Sequence, residues 1–515
     1  MKSNIKKNYL FNVSYQIFAL IVPVITTPYI SRVLSVEGIG IYSYTYSMVR
    51  YFWLLAALGI STLGCRSIGI YQDDRKERSI EFWNLFLLKL ILSILMGFLY
   101  ILYVGFIANN KVIALIQGIY LIGVVFDITW LFQGMEDFKK ISIKNFTIKI
   151  LNVIYIFVFI KTQNDLIKYV FGLAFFTLIG NLSLWGNIKY YIDFVELKKL
   201  KPLKNLKLAL QLFIPSVASQ IFSVFDKSMI GWFSGESSEN GYYEQALKII
   251  DMTLVIITTL STVMIPRIAK EYCNKNNNKI VEYLDKSFKF VFMSAIPMTI
   301  GIISISSIFV PWFFGTEYTN SIYILYILSW LYIFMGINSL TGTQYLVSTN
   351  QQNKHTKYLI IGGLFNIVLN IILIPRLQAR GAAIASVVGE AVVSILEIYY
   401  LNKTKQYKAR KILKETKTYI ISGIFMGIVL FIVKRTLNNN IRLMLTMVVI
   451  GSIVYVMSLI LLKDELVLEE IKKIKKKLSL GRNVWWKVYV ILFHILENCL
   501  KIFNCGYSLV RKMKL

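Results

Sequence analysis

The stretch IYSYTYSMVRYFWLLAALGISTL, Ile41 to Leu63, is long and apolar enough to cross a bilayer, yet it carries Arg50 near its middle. A full positive charge at that depth costs roughly 2.5–3.5 kcal/mol on insertion scales. Something must offset that cost, so Arg50 points towards the interior of a helix bundle rather than towards lipid. Three more cations share the setting. Arg32 closes the first apolar run, Lys89 lies in the third and Lys248 in the eighth. Together they predict a cavity suited to a negatively charged ligand.

Similar runs recur along the whole chain of 515 residues, 56% of them hydrophobic and only 17% charged, with a mean hydropathy of +0.59. A soluble domain of this length would carry more charge and would not repeat apolar runs of membrane length. The runs are continuous rather than alternating, which excludes a β-barrel. The predicted fold class is therefore an all-α polytopic membrane protein with about fourteen transmembrane helices. They fall at 8–30, 41–63, 82–107, 112–134, 146–161, 168–190, 207–232, 242–266, 286–311, 321–346, 357–375, 381–401, 418–434 and 441–462. The basic start, Met1 to Asn8, has the look of a signal peptide. No small-residue cleavage site interrupts the run that follows, so it reads as a retained first span.

A formal charge of +29 invites a nucleic-acid partner, but its placement argues against one. Lysine and arginine concentrate in alternate loops, roughly thirty on one side against about nine on the other, which predicts that both termini are cytoplasmic. The four cysteines, Cys65, Cys273, Cys499 and Cys505, show neither metal spacing nor a disulfide framework. His355 and His494 make no histidine-rich metal site.

The longer basic linkers divide the chain into an N-terminal six-helix half (1–192), a basic cytoplasmic linker (193–204) and a second six-helix half (205–402). A final pair of helices (403–462) and a basic cytoplasmic tail (463–515) follow. The halves begin alike. IVPV (Ile21 to Val24), GIGIY (Gly38 to Tyr42) and Arg50 in the first correspond to FIPS (Phe213 to Ser216), GYY (Gly241 to Tyr243) and Lys248 in the second. Such internal symmetry is common in secondary transporters, whose substrate site lies between the repeats. In the tail, the polar positions of Val484 to Arg511 share one helical face, which predicts an amphipathic helix on the cytoplasmic leaflet.

Charges inside the spans supply the candidate site. Glu244, Lys248 and Asp251 are spaced i, i+4 and i+7, on one face of the eighth span, either as a self-neutralised ladder or as a cavity strip with a central cation. Adjacent Asp226 and Lys227 project in different directions, and Asp127 needs a cation from elsewhere, with Arg32, Arg50 and Lys89 as candidates. Glu390 and Glu397 lie seven apart on one face. Intramembrane carboxylates of this kind carry a coupling H+ or Na+ or form buried pairs. Pro23, Pro28 and Pro215 lie inside spans, where they kink helices. Asn366 and Asn370 read as helix-packing glue. Tyr42, Tyr44, Tyr46 and Trp53 either stack on sugar rings or pack. Enzyme motifs are missing: no P-loop, GxSxG or HExxH is present.

The segments PYISRVLSVEGIGIYSYTYS (Pro28 to Ser47) and YQDDRKERSIEFW (Tyr71 to Trp83) resemble the bacterial polysaccharide flippases of the Wzx type. So do FIPSVASQIFSVFDKSMIGWF (Phe213 to Phe233) and GYYEQALKIID (Gly241 to Asp251). That group belongs to the multidrug, oligosaccharidyl-lipid and polysaccharide exporter superfamily. The resemblance covers roughly residues 5–460 and implies a flippase in the bacterial cytoplasmic membrane. Its implied substrate is an undecaprenyl-pyrophosphate-linked oligosaccharide for capsule, O-antigen or exopolysaccharide assembly. Partners implied are this lipid-linked oligosaccharide, membrane lipid, and a polysaccharide polymerase or other assembly proteins, with no nucleic acid and no cofactor beyond H+ or Na+ coupling.

By the same resemblance Arg32, Arg50 and Lys248 meet the pyrophosphate, while Asp127, Asp226, Glu244, Asp251 and Glu390 balance cavity charge or couple ions. Two departures stand out. Lysine at 248 acts as a point charge where a bidentate arginine would be expected, and Ser35 stands where similar flippases commonly have glycine. The alternatives are a cation-coupled multidrug exporter of the same superfamily and, in a different class, a membrane glycosyltransferase or polymerase.

Overall fold

A computed structural model describes residues 5–218, 220–407, 409–436, 440–469 and 471. The amphipathic segment expected at Val484 to Arg511 lies outside the described residues. Nineteen α-helices are described, with no strand among the described residues. The first nine are α1 (Ile5–Val33), α2 (Ser35–Ala57), α3 (Ile60–Ile70), α4 (Arg75–Phe106), α5 (Lys111–Gln117), α6 (Ile119–Phe126), α7 (Thr129–Gly134), α8 (Phe138–Phe159) and α9 (Leu166–Ser183). Then come α10 (Leu206–Ala218), α11 (Ile221–Phe233), α12 (Ser237–Cys273), α13 (Asn277–Phe313), α14 (Ser321–Leu328) and α15 (Leu331–Asn338). The last are α16 (Gln352–Leu377), α17 (Ala379–Lys403), α18 (Ala409–Thr436) and α19 (Ile441–Leu461).

Twelve described helical stretches are long and apolar enough to cross a membrane, and Phe18–Val33 adds a shorter apolar helix. The protein is a multi-pass membrane protein. The expected count of about fourteen is not reached among the described residues, for a local reason. The seventh apolar run is divided near Gln220 into α10 and α11, each of 13 residues. An apolar run reports only that a segment can insert; it does not report whether the helix stays continuous.

Helix starts follow the sequence chemistry. Asp74 caps α4 by accepting from the Lys76 and Glu77 amides, and Asn440 caps α19 through the Leu443 amide. Ser35 opens α2 with φ of 59°, a left-handed conformation that costs a side chain roughly 1–2 kcal/mol. Its hydroxyl returns only a long hydrogen bond, 3.4 Å from the Gly38 amide. We expect Ser35→Gly to stabilise the protein by about 1 kcal/mol, visible as a raised unfolding temperature in detergent. An unchanged or lowered midpoint would refute this.

The contacts group the chain into two compact units. Unit one comprises Met1–Met252, Phe313–Leu328 and Thr356–Val393. Its packing centres on Trp130, Phe82, Leu85 and Phe132, with further clusters around Val49 and Tyr100 and around Ile160 and Val170. Unit two comprises Thr253–Trp312, Ser329–His355 and Ser394–Leu515. It holds a stretch of π-helix, Ser339–Val347, that continues α15.

Candidate substrate and ion site

Six of the singled-out charges, Arg50, Asp226, Lys227, Glu244, Lys248 and Asp251, lie on α2, α11 and α12 of unit one. Arg50 Nη2 donates to the Gln220 side-chain oxygen, and its guanidinium sits 4.2 Å from the Trp53 ring centroid. Both partners are neutral. Glu244 accepts from Lys227 Nζ at 2.6 Å and from Ser43 Oγ at 2.8 Å. The ladder along one helix face is therefore not the pairing adopted. Glu244 turns to the neighbouring helix, and Lys248, one turn away on α12, has no carboxylate within ion-pair distance among the described residues. Asp251 is exposed. Lys149 of α8 lies close enough to Lys248 for the two charges to repel. The sequence showed Lys149 only as a lysine near the start of a span, where snorkelling would explain it.

Asp226 and Lys227 do part, as adjacent helix positions must. Lys227 takes Glu244, whereas the Asp226 carboxylate, fully buried, faces four neutral donors. Tyr243 Oη donates at 2.6 Å, Asn366 Nδ2 at 2.9 Å, Asn370 Nδ2 at 2.7 Å, and Ser386 Oγ closes the set. No cation holds Asp226 among the described residues. Asn366 and Asn370, read from sequence as packing residues, are thus its ligand-like partners. Asn370 Oδ1 is buried without a hydrogen bond, an oxygen left over beside a carboxylate.

Asp127 is placed differently. It ends α6 inside the fourth apolar run, where its carboxylate accepts from the Thr129 amide at 3.0 Å and from the Thr129 hydroxyl. Lys89, only 2% exposed, reaches its backbone carbonyl at 2.7 Å, and Lys144 donates to Thr129 Oγ1 and Asn181 Oδ1, each at 3.3 Å. Of the three cations expected to pair with Asp127, Lys89 is the one that arrives, and it does so at the carbonyl. Arg32 is exposed in the last turn of α1, and Glu390 is buried in α17. Tyr42, Tyr46, Tyr120 and Tyr169 pack ring against ring.

The matching glycines of the two sequence halves meet within unit one. A Cβ on Gly40 would lie 1.7 Å from the Ser237 carbonyl oxygen, and one on Gly241 would lie 2.2 Å from the Val36 carbonyl oxygen. The contact is reciprocal: each glycine sits against the residue four positions before the other. Only glycine permits backbones this close.

In unit two, Glu397 is buried with His355 Nδ1 2.5 Å away and Thr341 donating to its other oxygen. Separately, a cleft of about 1020 Å³ is lined mainly by apolar side chains, including Met264, Phe290, Met298, Met426 and Leu430, with Arg267 and Lys286 also at its wall.

Residues 5–271 match the family described as "Polysaccharide biosynthesis protein". The chain belongs to that family. Within this polysaccharide biosynthesis family setting, the chain is 22% identical over 409 residues to the "Putative O-antigen transporter" of Escherichia coli K12, covering 78% of this chain and 98% of that one. Its fold is similar to that of the lipid II flippase MurJ in an inward closed conformation, with a TM-score of 0.70 at 19% identity over 88% of this chain and 99% of the other. An inward-facing multidrug resistance MATE transporter of the MOP superfamily is similar at a TM-score of 0.57 and 18% identity, covering 78% and 99% of the two chains. The family, and the fold the chain shares with the solved proteins, follow from these matches.

Proposed function

We propose that this protein is a flippase that carries an oligosaccharide on a polyprenyl pyrophosphate across the cytoplasmic membrane by alternating access. The observation that carries the reading is the pair Arg50 and Lys248, two cations in membrane spans with no carboxylate partner among the described residues. An intramembrane cation outside any ion pair is costly, and a diphosphate entering the site would pair with both. Lys149 adds to the same field. Arg50 brings a planar donor set suited to phosphate oxygens, and Lys248 brings a point charge. Arg32, exposed at the end of α1, would meet the headgroup on its way in or out.

The reading assigns other parts accordingly. The apolar cleft of unit two suits an isoprenoid chain, so the lipid tail need not leave an apolar medium. Asp226, ringed by hydroxyl and amide groups, suits a coupling H+ or Na+, and Asn370 Oδ1 would complete an oxygen set. Glu244, Asp251 and Asp127 balance cavity charge. The chemistry needed is displacement of a charged headgroup, with no bond made or broken.

The test is export. Arg50→Gln and Lys248→Gln should each cut surface polysaccharide at least about tenfold at unchanged membrane abundance, since each removes a charge-assisted contact to phosphate. Lys248→Arg should retain export. Lipid-linked oligosaccharide should accumulate facing the cytoplasm in the glutamine variants. Normal export by both would overturn the assignment, and glycan transfer by purified protein in detergent would replace transport with catalysis.

A further inference from the structure

The segment from Lys189 to Lys207, which joins the sixth and seventh apolar runs, displays four large apolar side chains to the outside. Tyr190, Phe194, Leu197 and Leu203 are 63%, 85%, 71% and 64% exposed. The last three match or exceed Ile94 of α4, at 64%, a side chain in the middle of a membrane span, and Tyr190 falls just below it. A connecting loop in water would not normally present such a row. The segment's polar groups are turned the other way.

The first turns of α4 hold the segment by its backbone and acids. Arg75 clasps the Asp193 carboxylate with Nε at 2.8 Å and Nη2 at 2.7 Å, and also reaches the Lys189 carbonyl. Arg78 donates to the Tyr191 carbonyl through two nitrogens, and Trp83 Nε1 to the Asp193 carbonyl at 2.9 Å. Further along, the Lys201 amide donates to Asn84 Oδ1 at 2.6 Å and Asn205 Nδ2 to Glu81 Oε1 at 2.9 Å. The polar side of the segment is satisfied against protein, so its apolar side chains and lysines are what remains to face outward.

Those lysines are Lys189, Lys198, Lys199, Lys201, Lys204 and Lys207, against the acids Asp193 and Glu196 alone. Asp193 is occupied by Arg75, and Glu196 lies 3.4 Å from Lys199 Nζ. The outward face is therefore both apolar and net positive. We propose that Lys189–Lys207 is an interfacial anchor for anionic phospholipid. Phe194, Leu197, Leu203 and Tyr190 enter the boundary between headgroups and acyl chains, and the lysines meet lipid phosphates. The occupant is the anionic cytoplasmic leaflet. Charge complementarity favours it over a protein partner, because six lysines are interspersed with the exposed apolar side chains. The proposal rests on the cytoplasmic placement of this loop and is independent of what the protein transports.

The test uses the full chain with Cys65, Cys273, Cys499 and Cys505 replaced by serine and a single cysteine introduced as Phe194→Cys, or separately Leu203→Cys, carrying an environment-sensitive fluorophore. In lipid nanodiscs containing doxyl-labelled lipid, quenching at both positions should rise about threefold when phosphatidylglycerol is added to phosphatidylcholine. The rise should disappear when Lys198, Lys199, Lys201 and Lys204 are changed together to glutamine, with the unfolding temperature unchanged, and should weaken in high salt. A label at Ile107, on a loop at the other end of α4, should not respond to phosphatidylglycerol. Quenching at 194 and 203 no greater than for a water-exposed label, or independent of phosphatidylglycerol and of the four lysines, overturns the proposal.

Discussion

Asp226→Leu should destabilise the protein by roughly 3–6 kcal/mol, enough to deplete it from the membrane fraction. Leucine fills the volume but accepts nothing. Tyr243, Asn366, Asn370 and Ser386 would then be buried donors without an acceptor. Each such group costs about 1–3 kcal/mol, and the sum is reduced because the donors re-pair among themselves, as Asn370 already does with Asn366 Oδ1 at 3.2 Å. Asp226→Asn is the informative companion. It keeps an acceptor oxygen and the shape, so it should remain folded and abundant while losing the charge on which ion coupling depends. Under the proposed function, transport by this variant should be lost or no longer respond to a H+ or Na+ gradient. An Asn variant that transports with full gradient dependence would remove Asp226 from the coupling role, and a stable, abundant Leu variant would contradict the packing argument.

The second large effect is expected at the glycine contact. Gly40→Val or Gly241→Val places side-chain atoms where the Ser237 and Val36 carbonyls now sit, so α2 and the start of α12 must separate. Ordinary overpacking costs about 1–3 kcal/mol, and here the obstacle is backbone, which cannot rotate away. Both glycines lie near the starts of their helices, at the ends that the charge pattern predicts to be outside the cell. If the protein alternates its access, the close contact is the outer seal of the cavity, and valine there should bias it towards an outward-open arrangement. Spin labels at Glu37 and Glu236, both exposed, should move several ångströms apart in either variant, and export should fall about tenfold or more. Unchanged distances with unchanged export would show that the contact is dispensable.

Much of the architecture was legible in the chain. Membrane insertion depends on a sum of transfer free energies over some twenty residues, so continuous apolar runs such as Ile41 to Leu63 mark spans without reference to anything distant. Helix breaks were less legible. The ends of α6 at Asp127 and of α10 before Gln220 fall within apolar runs, and both places meet partners from outside the run: Lys89 at the Asp127 carbonyl, and Arg50 at the Gln220 side chain.

For the site, sequence located the unusual residues but misassigned several of their partners. The i, i+4 spacing of Glu244 and Lys248 allowed either an internal pair or a cavity strip with a central cation, and Glu244 pairs instead with Lys227 on α11. An i, i+4 pair contributes only about 0.2–0.5 kcal/mol, little enough for a neighbouring helix to override it. Asp226 was expected to hold a cation and is instead surrounded by neutral donors from α12, α16 and α17, residues far apart in the chain.

That contrast sets the division. Composition and periodicity suffice for what a segment does alone: enter the bilayer, choose a side by its lysines, or carry a charge whose cost must be met. Which charge meets which partner, where GIGIY of one half touches GYY of the other, and why Lys248 makes no ion pair among the described residues depend on helices brought together from across the chain. Those contacts act over a few ångströms between residues far apart in the chain, such as Ser43 and Glu244, 201 positions apart, and no local pattern encodes a distance of that kind.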